Sequence, residues 1–217
     1  MTPLHPLDQG ALANRLPRQP KNLAKPVEVS VVIPCLNEAD TIGCCVRKAM
    51  AALKQKGIRG EVIVADNGST DGSDEISAAL GARIVRVSAK GYGAALMGGI
   101  RAASGRFIIM GDADDSYDFG EIPHFVARLR EGYDLVQGCR LPAGGGQIKP
   151  GAMPWAHKIG NPLLSLLARF LFRVPLTDTY CGLRGLSKAL YLRLEQRRHG
   201  MVFATQMIIK STPTMDR

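Results

Sequence analysis

The sequence predicts an α/β fold in which helices cover both faces of a mostly parallel sheet. Short apolar runs alternate with helical patterns along residues 27–139, and such alternation is typical of strand–helix–strand units. A run bounded by glycine, such as residues 106–110, is typical of a buried strand. Loops rich in Gly, Asn, Asp and Ser follow several of the runs, as expected where strands end.

The first strand and helix have clear boundaries in the sequence. Glu28–Pro34 is predicted to be a strand that ends at its proline. A helix is expected over about 40–56, and Asp40 or Thr41 can cap its start. The apolar positions that recur at helical spacing in it are Ile42, Val46, Met50 and Leu53.

The later elements follow the same alternation. A second strand over Glu61–Ala65 leads to a helix that ends near Leu80. Asp71 or Ser73 can cap this helix, and Gly81 suits the position just after its end. The remaining predicted strands are Ala82–Val87, Phe107–Met110 and Asp134–Gly138, and the remaining helices span about 90–103 and 120–131.

The pattern changes after Arg140. Residues 141–154 are rich in Gly and Pro and are predicted to form a loop, either a lid over a site or a plain connector. Residues 161–172 are too few to span a bilayer, so a buried or an interfacial helix is expected there. A polar loop over 177–185 follows, and a helix is predicted over 201–210.

Charge is distributed unevenly along the chain, whose formal net charge is +9. The proline-rich segment 1–26, which we expect to be a disordered tail, carries +3, residues 27–139 carry −3, and residues 140–217 carry +9. We interpret 27–217 as one domain whose second half is a basic surface for an anionic partner. Phosphate groups, anionic lipids and nucleic acid are candidates, and a merely soluble basic face is the alternative.

The five cysteines predict free thiols in a reducing compartment. Their number is odd, and neither a C-x-x-C pair nor a Cys/His cluster with zinc-ligand spacing occurs. The sequence has no signal-peptide pattern and no run of 18 apolar residues. We therefore expect a cytoplasmic protein without a transmembrane helix.

Two aspartates, Asp112 and Asp114, come directly after the apolar run 106–110. Because an open α/β sheet places its ligand site at the carboxyl ends of its strands, both carboxylates are expected there. Paired hard oxygen ligands suit Mg²⁺ or Mn²⁺, which usually bridge carboxylates to substrate phosphates. An isolated Asp-x-Asp is also common in solvated acidic turns, so the other loops decide between the two interpretations.

Three further loops follow predicted strands and suit parts of a nucleotide-diphosphate ligand. The loop 34–38 offers polar side chains to a base, ribose or phosphate. In the loop 66–69 a carboxylate can accept a hydrogen bond from a base N–H. In the loop 90–93 glycines permit close backbone approach, and the following helix N-terminus favours anions. Each loop alone is weak evidence, but four on one sheet edge predict a phosphate-bearing substrate.

These loops together resemble family 2 glycosyltransferases. The motifs that carry the similarity are VVIPCLNE (31–38), DNGSTDG (66–72), KGYGAA (90–95) and DAD (112–114). The chain is most similar to the branch that includes dolichol-phosphate mannosyltransferase and bacterial polyprenyl-phosphate sugar transferases. QGCR (137–140) and DTYCGLR (178–184) match later motifs of that branch, and the resemblance spans about 28–210.

The resemblance implies a GT-A fold, a GDP- or UDP-linked sugar donor, a divalent metal and inversion at the anomeric carbon. It assigns the metal to Asp112 and Asp114. It assigns the donor to Pro34, Asn37, Glu38, Asp66, Ser69, Lys90, Gly91 and Asp112. The sugar is expected to be of the mannose or glucose type.

The acceptor side rests on fewer residues. Arg140 and Arg184 suit an acceptor phosphate or a leaving diphosphate, since a guanidinium fork matches phosphate oxygens, and surface ion pairs are the alternative. A polyprenyl-phosphate acceptor, as in cell-envelope glycan synthesis, is already anionic and needs positioning rather than a base. A hydroxyl acceptor would need a base, for which Asp178 is the candidate, unless it caps a helix or pairs with an arginine. A lipid acceptor also implies peripheral contact with the cytoplasmic face of a membrane, and no nucleic-acid partner is expected.

Some residues depart from the family pattern. Ser116 is a weak third metal ligand, and Gln206 stands where the family often has Glu. Relatives generally continue beyond the position where this chain ends, so we expect a shortened acceptor half. An inactive nucleotide-sugar-binding remnant is therefore one alternative. A nucleotidyltransferase is another, although PCLNE (34–38) replaces the Gly-rich basic loop it would need, and the G-x-G-x-x-G of a dinucleotide oxidoreductase is absent.

Overall fold

The computed structural model describes residues 26–139, 181–196, 200 and 202–211. Six strands lie within these residues: β1 (Val29–Cys35), β2 (Gly60–Asp66), β3 (Arg83–Arg86), β4 (Phe107–Met110), β5 (Leu135–Gln137) and β6 (Arg184–Ser187). The α-helices described there are α1 (Ala39–Gln55), α2 (Ser73–Ala79), α3 (Tyr92–Ala102), α4 (Ile122–Arg130), α5 (Lys188–Leu194) and α6 (Val202–Ser211), and a 3₁₀ turn at Phe119–Glu121 precedes α4.

The strands form one sheet in the order β3-β2-β1-β4-β6-β5. β1 pairs in parallel with β2 and β4, and β2 pairs in parallel with β3. β6 is antiparallel to both β4 and β5. The prediction of a mostly parallel α/β sheet is confirmed, and the carboxyl ends of β1, β2 and β4 meet at one edge.

Helices pack on both faces of the sheet, and successive residues of β1 show why. Val31 and Ile33 face one core with α1 and α4, whereas Val32 faces a second core with α3, α5 and α6. Successive side chains of a strand point to opposite faces, so β1 is apolar at nearly every position. Ser30 is the polar exception, and its buried hydroxyl donates to Glu61 at 2.7 Å. Burying one such side chain contributes about 1.5–3 kcal/mol, and the two cores together fix the strand ends that carry the site.

Three predictions of local structure were wrong. Neither Asp71 nor Ser73 is the N-cap of α2; that position is Gly72, and no side chain caps the helix. Residues 184–185 were expected in a polar loop but begin β6, which fits between β4 and β5 because its side chains are buried there. Neither Asp40 nor Thr41 caps α1. Instead the first amides of the helix are satisfied from the next loop: Asp71 accepts from Ala39, and the Ser73 hydroxyl accepts from the Glu38 amide.

The predictions for Gly81 and for the cysteines are confirmed. Gly81 follows α2 with a φ of +89°, the left-handed conformation typical of a helix end. All five cysteines are free. Within the part of the chain that the structure describes, no helix is long and apolar enough to cross a bilayer. The predicted loop 141–154, the helix 161–172 and nearly all of the tail 1–26 lie outside the described residues.

Candidate functional site

A cavity of about 370 Å³ opens at the edge where β1, β2 and β4 end. The predicted site residues that line it are Pro34, Glu38, Lys90, Gly91, Asp112 and Asp114. The other three predicted donor residues, Asn37, Asp66 and Ser69, do not line the cavity and lie in the two loops beside it. The structure therefore brings all four predicted loops together around one space.

The Asp66 carboxylate folds the loop after β2. Asp66 is 4% exposed, and its two oxygens accept from the amides of Gly68 and Ser69 at 3.1 and 3.0 Å. Gly68 has a φ of +97°, which a side-chain-bearing residue seldom adopts. Each carboxylate oxygen keeps a second lone pair, so contact with a base N–H remains a prediction for this residue.

Hydrogen bonds join the loop after β1 to the loop after β2. Asn37 has a φ of +57°, and its side-chain oxygen accepts from the Thr70 amide at 2.8 Å. The main-chain N–H of Asn37 donates to the Ser69 hydroxyl at 3.0 Å. Asn37 and Ser69 thus hold the two loops in register, in addition to any contact with a ligand.

Asn67 is a structural residue of the site that the sequence analysis did not single out. It is 4% exposed, and its side-chain amide donates to the carbonyls of Val87 and Ala89 at 2.9 and 2.8 Å. Its side-chain oxygen accepts from the Gly91 amide at 2.8 Å. One buried side chain therefore fixes the loop that leads into α3.

The N-terminus of α3 faces the cavity. Lys90 is exposed and donates from Nζ to the Asn67 carbonyl at 2.7 Å. Gly91, with a φ of +117°, precedes the helix, and the first turn of α3 contains no acidic residue. Unpaired amides and the helix dipole make such an end favourable for anions, and Lys90 adds a positive charge beside it.

Tyr92 connects α3 to the first aspartate of the acidic pair. Its hydroxyl donates to Asp112 Oδ1 at 2.8 Å. Burial and the adjacent Asp112 carboxylate raise the pKa of Tyr92, so the phenol stays protonated and donates. The other oxygen of Asp112 lies so close to Gly182 that a β-carbon there would sit 2.6 Å away. Tyr92 thus holds the Asp112 carboxylate by a hydrogen bond, and the absence of a side chain at Gly182 leaves room for it.

Asp114 is exposed at the mouth of the cavity. One carboxylate oxygen accepts from the Ser116 amide at 3.0 Å, and the other has no hydrogen-bond partner among the described residues. Those residues contain no cluster of three or more Asp, Glu, His or Cys able to hold a metal. Two carboxylates, one with a free oxygen, fit a Mg²⁺ or Mn²⁺ ion that takes its remaining ligands from water and phosphate.

Arg184 occupies a different position from the phosphate-facing one predicted for it. It is 1% exposed, and it donates from Nε to the Cys181 carbonyl at 3.0 Å and from Nη1 to the Ala204 carbonyl at 2.6 Å. Burial lowers the pKa of Arg184, while the charge of Asp112 opposes that shift. The guanidinium therefore lies beneath the site as a buried positive charge. Arg140 and Asp178 lie outside the described residues.

The sequence profile of glycosyl transferase family 2 matches residues 30–194. The low-salt glycan biosynthesis hexosyltransferase of Haloferax volcanii is 39% identical over 84% of this chain, but the match covers 44% of that protein. An uncharacterised glycosyltransferase of Mycobacterium tuberculosis is 37% identical over 69% of this chain and 63% of its own length. The chain thus spans about half of the length of these relatives.

Two further similarities concern substrates. The dolichyl-phosphate hexose transferase of Haloferax volcanii is 30% identical over 77% of this chain and 70% of its own length. The crystal structure of glucosyl-3-phosphoglycerate synthase from Mycobacterium tuberculosis superposes with a TM-score of 0.59 at 26% identity. That match covers 75% of this chain and 57% of the synthase, which was crystallised with Mn²⁺, UDP-glucose and phosphoglyceric acid.

Proposed function

The chain belongs to glycosyl transferase family 2, and we propose that it transfers a hexose from a nucleoside-diphosphate sugar to a phosphate-bearing acceptor. The observation that carries this proposal is the shared cavity of Asp112, Asp114 and the α3 N-terminus. Carboxylates for a metal and an anion-binding helix end are the two features that a diphosphate needs. A pocket for an uncharged ligand would require neither.

In the proposed site, Asp112 and Asp114 hold Mg²⁺ or Mn²⁺. The ion, when bound, neutralises negative charge that grows on the departing nucleoside diphosphate. Tyr92 orients the Asp112 carboxylate by donating to it, and the buried Arg184 adds a positive charge that interacts with that carboxylate. Lys90 and the first amides of α3 bind the diphosphate oxygens.

The nucleoside is placed beside the loops after β1 and β2. Asp66 accepts from a base N–H, which uracil and guanine both present, so UDP and GDP donors both fit this chemistry. Pro34, Asn37, Glu38 and Ser69 form the surrounding wall or hold it in shape. The presence of UDP-glucose in the structurally similar synthase supports a UDP donor.

For the acceptor we propose a polyprenyl phosphate, and the similarity to a dolichyl-phosphate hexose transferase supports this choice. A phosphate oxygen of the lipid attacks the anomeric carbon, a new C–O bond forms, and the bond to the diphosphate oxygen breaks with inversion. Because the attacking oxygen is already anionic, no general base is needed. Arg140 is proposed to hold the acceptor phosphate, and the basic half of the chain to contact anionic lipid on the cytoplasmic face of a membrane.

A small phosphorylated acid is the second candidate acceptor. The synthase of similar structure was crystallised with phosphoglyceric acid, which also bears a phosphate. Such an acceptor would also account for the basic second half of the chain. Unlike the lipid phosphate, it can offer a hydroxyl as the attacking group, and Asp178 would then act as base.

A thermal-shift panel of UDP- and GDP-sugars, each with and without Mn²⁺, tests the donor assignment, because a ligand that binds the native state raises the melting temperature. A transfer assay with polyprenyl phosphate and with phosphoglyceric acid then identifies the acceptor. Metal-dependent binding without transfer to either acceptor would favour a nucleotide-sugar-binding remnant. Release of pyrophosphate from a nucleoside triphosphate and a sugar phosphate would instead indicate a nucleotidyltransferase.

A further inference from the structure

Two side chains of α1 contact the acidic loop, defined here as residues 112–116. The Cys45 sulfur lies 3.3 Å from the Ala113 carbonyl oxygen, and Lys48 Nζ lies 2.7 Å from Asp115 Oδ1. Cys45 and Lys48 are three residues apart, a spacing that places them on one face of a helix. Helix α1 therefore contacts the acidic loop at two residues, Ala113 and Asp115.

The acidic loop needs such support because its backbone conformation is unfavourable. Asp115 has a φ of +57°, a left-handed conformation that residues other than glycine seldom occupy, although Asp and Asn adopt it at lower cost than most. Asp114, Asp115 and Asp112 also bring three carboxylates into four consecutive positions, where like charges repel. The Ser116 amide closes the turn by donating to Asp114 at 3.0 Å.

Only two of the three carboxylates belong to the cavity. Asp112 and Asp114 line it, whereas Asp115 does not and pairs with Lys48. The side chains of Lys48 and Asp115 are 35% and 26% exposed, so the pair is partly shielded from solvent. In this turn Asp112 and Asp114 thus face the ligand space, and Asp115 faces α1, where the ion pair holds it.

We propose that Lys48 is a positioning residue of the acidic loop. By holding Asp115 against α1, it fixes the turn that presents Asp112 and Asp114 to the metal and the diphosphate. This role rests on the proposed function of those two aspartates. It extends the site to α1, which contributes no predicted metal or donor contact.

The decisive variant is the double substitution Lys48→Met with Asp115→Asn. It removes one positive and one negative charge together, so the net charge beside the metal is unchanged. Asn tolerates a positive φ, so the substitution adds no backbone strain. Lys48→Arg is the conservative rescue. Lys54→Met is the matched control, because Lys54 lies on α1, is exposed, and its side chain makes no hydrogen bond or ion pair with the described residues.

The first measurement is amide hydrogen exchange of residues 113–116 in the ligand-free chain. We expect roughly tenfold faster exchange in the double variant, with the amides of β1 unchanged as an internal reference. The second is UDP binding at saturating Mn²⁺, for which we expect a roughly three- to tenfold higher dissociation constant. The single variant Lys48→Arg keeps a positive charge opposite Asp115, so both values should stay close to those of the wild type. Lys54→Met should change neither value.

Wild-type exchange in the double variant, or wild-type UDP affinity despite faster exchange, would overturn the proposal. Exchange or UDP affinity in Lys48→Arg that differs clearly from the wild type would overturn the proposal too. This comparison remains valid even where the double variant folds poorly. If the wild-type chain does not bind UDP with Mn²⁺, the proposed function is wrong. The exchange measurement then decides by itself whether Lys48 fixes the turn.

Discussion

Asn67→Ala should destabilise the fold and the donor site together. The substitution removes three hydrogen bonds of 2.8–2.9 Å from a side chain that is 4% exposed. Each bond contributes about 0.5–1.5 kcal/mol, and the two carbonyls and one amide that Asn67 bonds would lose this partner in a partly buried loop. We therefore expect the free energy of unfolding to fall by about 2–4 kcal/mol.

Urea unfolding followed by circular dichroism measures that loss, and UDP binding with Mn²⁺ measures the effect on the site. Ser88→Ala is the matched control, because Ser88 is an exposed residue of the same loop; a surface change of this kind should alter stability by at most about 0.5 kcal/mol. Asn67→Asp keeps the shape but sets a carboxylate oxygen against the carbonyls of Val87 and Ala89, so it should destabilise at least as much as Asn67→Ala. A stability of Asn67→Ala within about 0.5 kcal/mol of the wild type would show that these three hydrogen bonds do not stabilise the fold.

Three further outcomes are expected. A hydrogen bond from Arg130 is the main cause that lowers the pKa of Glu28 from 4.5 to about 2; the stabilisation is therefore present above pH 5 and is lost as pH falls towards 2. Between pH 5 and pH 2, the free energy of unfolding in urea should fall by about 2–3 kcal/mol more in the wild type than in Glu28→Gln. Gly68→Ala should lower the free energy of unfolding by about 1–2 kcal/mol, because the φ of residue 68 is +97°; its new β-carbon would lie 2.6 Å from Lys90 Nζ, so the flexible lysine side chain would shift as well. An unchanged melting temperature would contradict this. Arg184→Met should cost about 1–3 kcal/mol in urea unfolding, since it removes the hydrogen bonds from a buried guanidinium to the carbonyls of Cys181 and Ala204; a neutral result would show that the buried charge does not stabilise the fold.

The sequence predicted most of the sheet because parallel strands buried on two faces need apolar side chains at nearly every position. β1 and β2 are of this kind, and both were found within two residues of their observed bounds. β6 was missed because Arg184-Gly-Leu-Ser187 contains a single large apolar residue. This segment is a strand only because of tertiary contacts, since its antiparallel partners β4 and β5 are distant in sequence.

The site was predicted at the level of loops but not of hydrogen bonds. Strand ends converge in an α/β sheet, so polar residues after β1, β2 and β4 could be expected together. The roles of Asn67 and Tyr92 depend on which distant groups their side chains reach, and no local pattern encodes that. The same holds for Arg184, which was expected to face a phosphate and instead donates to main-chain carbonyls in the interior.

The central claim is that Asp112 and Asp114 hold a metal on a nucleoside diphosphate. The most direct test is the melting temperature of wild type, Asp114→Asn and the control Asp40→Asn, each with UDP or GDP and with or without Mn²⁺. Binding at about 100 times the dissociation constant stabilises by about 2.7 kcal/mol, which for a chain of this size is a rise of roughly 5–10 °C. We predict this rise for wild type and Asp40→Asn with Mn²⁺ only, and its loss in Asp114→Asn. A rise that is independent of Mn²⁺, or equally large in Asp114→Asn, would contradict the claim.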